Sequence, residues 1–159
     1  MTCLKASGED MDVAMVEIRV GGDLTFEQLF ELYDSVGWVS YTHERRRDGL
    51  PKAIRNSTYV VTAWSGETLV GLARGLSDDV SIFYLQDILV RPAFQGQGVG
   101  RRLLENCLER FGHVRSKVLM TDNEEKQVSF YESLGYKNTR SLIKWHLNTF
   151  VQIDGLDLE

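Results

Sequence analysis

The spacing of apolar and polar positions changes period along the chain, and each change marks an element. Residues 13–20 alternate, with Val16, Ile18 and Val20 set against Met15, Glu17 and Arg19, which predicts a strand. Gly21, Gly22 and Asp23 turn the chain. Over 25–36 the apolar residues Phe26, Leu29, Phe30, Leu32 and Tyr33 recur at helical spacing, with Thr25 as N-cap and Gly37 as the stop. Residues 38–42 read as an aromatic loop, and 43–55 as a more polar helix interrupted at Gly49, Leu50 and Pro51. Strand patterns follow over 58–64 and 68–76, joined at Ser65-Gly66-Glu67 as a hairpin. The run 81–90 is apolar on both faces apart from Gln86 and Asp87, which places it in a sheet covered on both sides.

The clearest helix spans 99–111, with Val99, Leu103, Leu104, Cys107, Leu108 and Phe111 on one stripe and Gly112 ending it. A strand over 114–120, a helix over 124–134 stopped by Gly135, and short strands at 136–137 and 142–147 complete the order. The pattern predicts a mixed α/β (α+β) domain over 13–147. A flexible segment over 1–12 precedes it, and an acidic tail over 148–159 follows.

Composition narrows the function classes. A chain of 159 residues and 18.1 kDa fits one domain. The net charge of −5 sits at the two ends, where Glu9, Asp10 and Asp12 outweigh Lys5 and where Asp154, Asp157 and Glu159 cluster. The balanced middle argues against a general nucleic-acid partner, which needs a basic surface. No apolar run approaches the ~20 residues that cross a bilayer, and residues 1–12 lack the apolar core of a secretion signal. The expectation is a cytoplasmic protein with no membrane partner. Cys3 and Cys107 form no metal or disulfide spacing, and Cys107 falls on the apolar helix stripe. His43, His113 and His146 lie too far apart for a zinc motif, so no metal is expected.

The segment Gln95-Gly96-Gln97-Gly98-Val99-Gly100 lies between the two-faced strand and the clearest helix. Glycines there let the backbone adopt positive φ and turn its N–H groups into an anion-binding nest. No Ser, Thr, Asp or Asn caps the helix, and no acid sits in its first turn. Arg101 and Arg102 add positive charge to the positive end of the helix dipole, at a cost of about 0.3–1 kcal/mol each if nothing balances them. A bound phosphate would accept from the free N–H groups and pair with an arginine; a solvated turn is the structural alternative. The dinucleotide pattern G-x-G-x-x-G fails at Arg101, and no Lys-Ser/Thr pair completes a P-loop.

The same residues follow Q/R-x-x-G-x-G/A after Val90-Arg91-Pro92. This resembles the signature motif of the GNAT superfamily of acyl-CoA-dependent N-acetyltransferases. Phe130-Tyr131-Glu132-Ser133-Leu134-Gly135-Tyr136 is similar to the FYxxLGF/Y segment of that superfamily. The resemblance implies a mostly antiparallel sheet of six to seven strands, splayed between the fourth and fifth, with about four flanking helices. It implies acetyl-CoA as co-substrate, with its pyrophosphate on the N–H groups of Gly96, Gln97, Gly98, Val99, Gly100 and Arg101, beside Gln95. Ile88, Leu89 and Val90 would pair with the pantetheine amides, and Asn123 would add a polar contact. A small-molecule amine is the implied acceptor, and a homodimer is an analogy from family members.

Amine acetylation needs a neutral amine and a proton for the departing thiolate. Asp87, on an apolar strand face read as shared with Phe83, Leu85 and Leu89, is the candidate base or amine anchor; a carboxylate hydrogen-bonded to neighbouring backbone, or one at a sheet bulge, is the alternative. Tyr131 resembles the family's general acid, and otherwise reads as a buried ring on a core stripe. Tyr33, Trp38 and Tyr41 are the candidate acceptor wall, through apolar or cation–π contact, or else plain core. With Cys107 in the core, direct attack in a ternary complex is expected rather than a covalent relay. The other readings are a protein or peptide N-acetyltransferase and a CoA-binding sensor without turnover.

Overall fold

The structure, a computed structural model, describes residues 15–154. The segment expected to be flexible over 1–12, residues 13–14 of the first predicted strand, and residues 155–159 of the acidic tail lie outside the described residues. The chain divides after Met120 into two compact units.

The first unit holds β1 (Val16–Val20), α1 (Phe26–Ser35), α2 (Val39–Thr42), α3 (Leu50–Arg55), β2 (Tyr59–Ser65), β3 (Thr68–Ser77), β4 (Ile82–Val90), α4 (Val99–Arg110) and β5 (Ser116–Leu119). Its five strands run in the order β1-β2-β3-β4-β5, antiparallel except for the parallel β4–β5 pair. The expected six to seven strands are therefore corrected to five among the described residues. Helix α1 starts where its cap chemistry says. The Thr25 hydroxyl accepts from the Gln28 N–H at 3.2 Å, and the Gln28 side chain accepts from the Thr25 N–H at 3.0 Å. The aromatic stretch after it is a short helix rather than a loop, and Pro51 stands in the first turn of α3 rather than breaking it.

The sheet is covered on both faces. On one, Leu29, Leu32 and Tyr33 of α1 and Leu50 and Ile54 of α3 pack on Val60, Trp64, Leu69, Leu72 and Leu89. On the other lies α4. A side-chain carbon at Gly71 would stand 3.1 Å from Leu103, so the bare backbone is what lets the helix approach. Beyond the end of α4, Phe111 stacks on Phe83 with ring centroids 4.3 Å apart.

A β-bulge decides which layer the second half of β4 serves. Arg74 pairs with Asp87 and Gly75 with Leu85, which leaves Gln86 as the extra residue. Before it, Phe83 faces α4; after it, Asp87 and Leu89 face α1. The expectation that Asp87 shares a face with Phe83 and Leu85 is thus corrected, because the bulge shifts the alternation. Only Ile82–Leu85 pair with β5. From Asp87 to Val90, β4 keeps β3 as its only strand partner among the described residues, which is the splay expected between the fourth and fifth strands.

The second unit begins with α5 (Glu125–Glu132), followed by a 3₁₀ turn at Thr139–Ser141. The short strands predicted at 136–137 and 142–147 are absent. Asn138 caps the 3₁₀ turn by accepting from the Arg140 N–H at 3.0 Å, and the alternating Ile143, Trp145 and Leu147 are all exposed. Alternation gives a strand only where a neighbouring strand takes up its backbone groups. No helix among the described residues is long and apolar enough to cross a membrane.

A methyl group at Gly75 would overlap the Phe83 ring and stand 2.8 Å from the Tyr84 carbonyl, while Phe83 is held by its stack on Phe111. Gly75→Ala should cost about 1–3 kcal/mol. The expected observation is a lower urea midpoint at unchanged slope.

Candidate functional site

Asp87 is 3 % exposed and stands on β4 directly after the bulge. A buried carboxylate persists only if its charge is balanced and its oxygens are satisfied. Arg74 of β3 supplies the charge, with Nε 2.5 Å from Oδ2. Tyr33 of α1 donates its hydroxyl to the same oxygen at 2.9 Å, and Tyr41 of α2 donates to Oδ1 at 2.8 Å. Ser57 accepts from a second guanidinium nitrogen of Arg74 at 3.3 Å. Burial, and after it the negative charge of Asp87, hold the Tyr33 phenol well above its usual range. The same causes raise Tyr41. Both phenols therefore remain protonated donors at neutral pH.

Three sequence-predicted acceptor residues meet at this cluster. Trp38 lies edge-on to Tyr33 at 5.9 Å and stacks on Tyr41 at 6.0 Å, while Tyr33 and Tyr41 are 5.0 Å apart. Tyr33 is fully buried, whereas Trp38 and Tyr41 are half-buried and form the accessible part of the shelf. The exposed Gln86 donates its amide to the Tyr41 hydroxyl at 3.1 Å. Sequence reasoning missed Arg74. Its signal was there, as the one charged side chain in β3, a strand otherwise apolar, small or hydroxylic. A lone buried charge implies a buried counter-charge.

At the start of α4, Gly98 is the N-cap with φ 82°, and no side chain caps the helix. Gly96 is also left-handed, with φ 73°. The first intrahelical bond runs from the Arg102 N–H to the Gly98 carbonyl at 3.0 Å, so the donors before it point out of the helix end. A side-chain carbon at Gly96 or Gly98 would meet only open space. Glycine is needed there for its backbone angle rather than for want of room.

The flanking side chains hold the loop. Gln95 donates its amide to the Val90 carbonyl at 2.8 Å, and Gln97 donates to the Ala93 carbonyl at 3.1 Å. Arg102 donates to the Val16 carbonyl at 2.9 Å, and Arg101 pairs with Glu105 at 3.4 Å. Leu89 and Val90 turn their side chains into the core, as does Val99, and Ile88 is half-buried. What these β4 residues offer a ligand is backbone. Burial pushes the Cys107 thiol up to about 12, so it stays protonated near neutral pH and is no nucleophile.

Tyr131 and Asn123 belong to the second unit. Tyr131 is buried, edge-on to Phe130 at 5.1 Å and to Tyr136 at 6.0 Å. Burial raises its phenol, with a hydrogen bond to Thr121 acting the other way. Asn123 is exposed in the loop before α5.

Residues 48–151 match the family model described as an acetyltransferase (GNAT) domain. The ycf52 N-acetyltransferase of Pyropia yezoensis is 28 % identical over 139 residues, covering 85 % of this chain and 75 % of that protein. Histone acetyltransferase TAP1 of Glycine max is 29 % identical over 155 residues, covering 87 % of this chain, which spans 64 % of that protein's length. A solved GNAT-family acetyltransferase of Streptococcus pneumoniae TIGR4 superposes with a TM-score of 0.76 at 28 % identity, over 89 % of this chain and 100 % of that one.

Removing one member of the buried pair leaves the other charge uncompensated. Arg74→Met or Asp87→Asn alone should each cost about 3–5 kcal/mol. The double variant should cost clearly less than the two single losses together, as read by chemical denaturation in a double-mutant cycle.

Proposed function

The chain belongs to the GNAT acetyltransferase family, and on that premise we propose that it transfers an acetyl group from acetyl-CoA to the primary amine of a small molecule. The observation that carries the reading is the start of α4. Gly98 caps it in a left-handed conformation with no side-chain partner, facing open space, immediately beyond the half of β4 that has no β5 partner. A diphosphate satisfies such a helix end, where N–H donors and the helix dipole converge. Acetyl-CoA supplies the activated acyl group as a thioester. The N–H groups of Gly96–Arg101 bind its pyrophosphate, and the backbone of Ile88–Val90 takes its amide arm as an added strand. Asn123 adds a polar contact.

On the acceptor side, Trp38 and Tyr41 present an aromatic shelf, and Tyr33 and Asp87 support it from beneath. With both its oxygens occupied, Asp87 serves as the anchor of this shelf in preference to a free base. The amine attacks directly in a ternary complex, which agrees with the protonated state of Cys107. Tyr131 protonates the leaving thiolate while the nitrogen sheds its extra proton to solvent, a role supported by its motif and by a buried phenol that keeps its proton at neutral pH.

A second reading, with a protein amine as acceptor, is favoured by the likeness to a relative named as a histone acetyltransferase. The short, half-buried shelf favours the small amine. Release of free CoA from acetyl-CoA, measured over a panel of small amines and over lysine and N-terminal peptides, separates the two. Turnover with peptides alone would overturn the small-amine reading, and tight CoA binding without any turnover would mark a sensor.

Acetyl-CoA should raise the melting temperature of the wild-type protein, and Gly98→Val should abolish that rise, because φ 82° excludes a branched side chain. Tyr131→Phe should lower turnover about 10²–10⁴-fold with the acetyl-CoA affinity unchanged. Loss of cofactor binding without a slower chemical step would remove Tyr131 from the acid role.

A further inference from the structure

The three donors to Asp87 are unevenly placed. Oδ2 accepts from both Arg74 and Tyr33, and Oδ1 accepts from Tyr41. Asp87, Tyr33 and Arg74 are all buried, whereas Tyr41 is half-buried. Tyr41 is therefore the member of the cluster that carries the influence of the carboxylate to the protein surface.

That position fixes what Tyr41 can do. Its proton is committed to Oδ1, and its raised phenol keeps that proton in place. The hydroxyl oxygen thus faces outward as an acceptor, sharpened by its own hydrogen bond to an anion. Its present donor is the amide of Gln86 at 3.1 Å. Gln86 is the extra residue of the β-bulge, exposed and without a β3 partner. This oxygen selects N–H donors, and the donor it now holds stands on an exposed surface side chain. The Trp38 ring stacked 6.0 Å from that of Tyr41 extends the same surface with an apolar face.

We propose that the Tyr41 hydroxyl oxygen receives the N–H of the acceptor amine in place of the Gln86 amide, and that Arg74 is a positioning residue that orients this oxygen through Asp87. The inference rests on the acetyltransferase reading for its substrate. The chemical class it selects is an N–H donor carried on a flat or apolar body that lies along the Trp38–Tyr41 surface. Arg74 touches no substrate in this arrangement.

The test uses the full-length enzyme with acetyl-CoA and the amine that the wild type turns over or binds best. Steady-state kinetics and calorimetric titration of the amine are run in parallel. Tyr41→Phe keeps the ring and the stack but removes the oxygen. It should raise the amine KM and Kd about five- to tenfold and leave the acetyl-CoA KM unmoved. Gln86→Leu removes the competing donor and should lower the amine KM. Arg74→Met should raise the amine KM as Tyr41→Phe does, with partial recovery in Arg74→Lys. A merely structural role would lower the folded fraction without splitting the two KM values. An unchanged amine KM and Kd in Tyr41→Phe would overturn the proposal, whether or not the Arg74 variants fold. A rise in Gln86→Leu equal to that in Tyr41→Phe would make Gln86 the contact and overturn it as well. Amine binding weakened by Tyr41→Phe without wild-type turnover would support the proposal and sink the acetyltransferase reading. Turnover indifferent to Tyr41 would do the reverse, and no amine binding to the wild type would sink both.

Discussion

A carboxylate beneath a helix layer must be neutralised and fully hydrogen-bonded, and much of the first unit is arranged around meeting that demand at Asp87. The counter-charge comes from β3 through Arg74, and two phenols come from α1 and α2. The consecutive helices α1 and α2 and the distant strand β3 thereby converge on one side chain. Hydrophobic burial of Leu29, Leu32 and Leu89 supplies most of the driving force in this layer. It does not choose among the many ways two apolar surfaces can slide over each other. The directional bonds to Asp87 do, because each has a narrow range of useful distance and angle.

Strand β4 is the element on which the candidate site is strung. Its first half is tied to β5 and stacked on the α4 side, and its second half turns to α1 and parts from β5. The acceptor cluster stands at the changeover, the strand's bare backbone follows it, and the glycine-capped start of α4 comes soon after. The order along the chain is thus the order in which an amine, an amide arm and a diphosphate would lie. In the proposed reaction, the continuous stretch from Gln86 to Arg101 would offer all three contacts in chain order.

Much of this was legible in residue spacing. The cap of α1, the stripe of α4 with its uncapped glycine start, and strands β2 to β4 follow from periodicity and from known terminus chemistry. The meeting of Tyr33, Trp38 and Tyr41 near Asp87 was partly legible, since all were singled out as one acceptor region. The bulge was not. Phe83, Leu85, Asp87 and Leu89 alternate without interruption in sequence, and no glycine or proline marks the place where the face changes. The lone charge of Arg74 in β3 was visible, but its opposition to Asp87 was hidden, because it depends on that shifted register. The alternation of Ile143, Trp145 and Leu147 misled in the other direction, since a pattern tells which side a residue would face and not whether a neighbouring strand is present. Helix α2, with four residues, is too short for any period to show.

The odd residue in β4 also bears on how this chain can change length over generations. Deleting Gln86 would restore a uniform pleat with Asp87 still opposite Arg74 and Leu89 still in its layer, at the loss of the amide that donates to Tyr41. The turn around Gly66 also lies beside a register shift, where Ala63 pairs with Gly71 and Trp64 with Leu69. Loss of one residue in β4 is thus tolerated at the bulge itself, whereas loss of any paired neighbour would turn the rest of the strand to the other face.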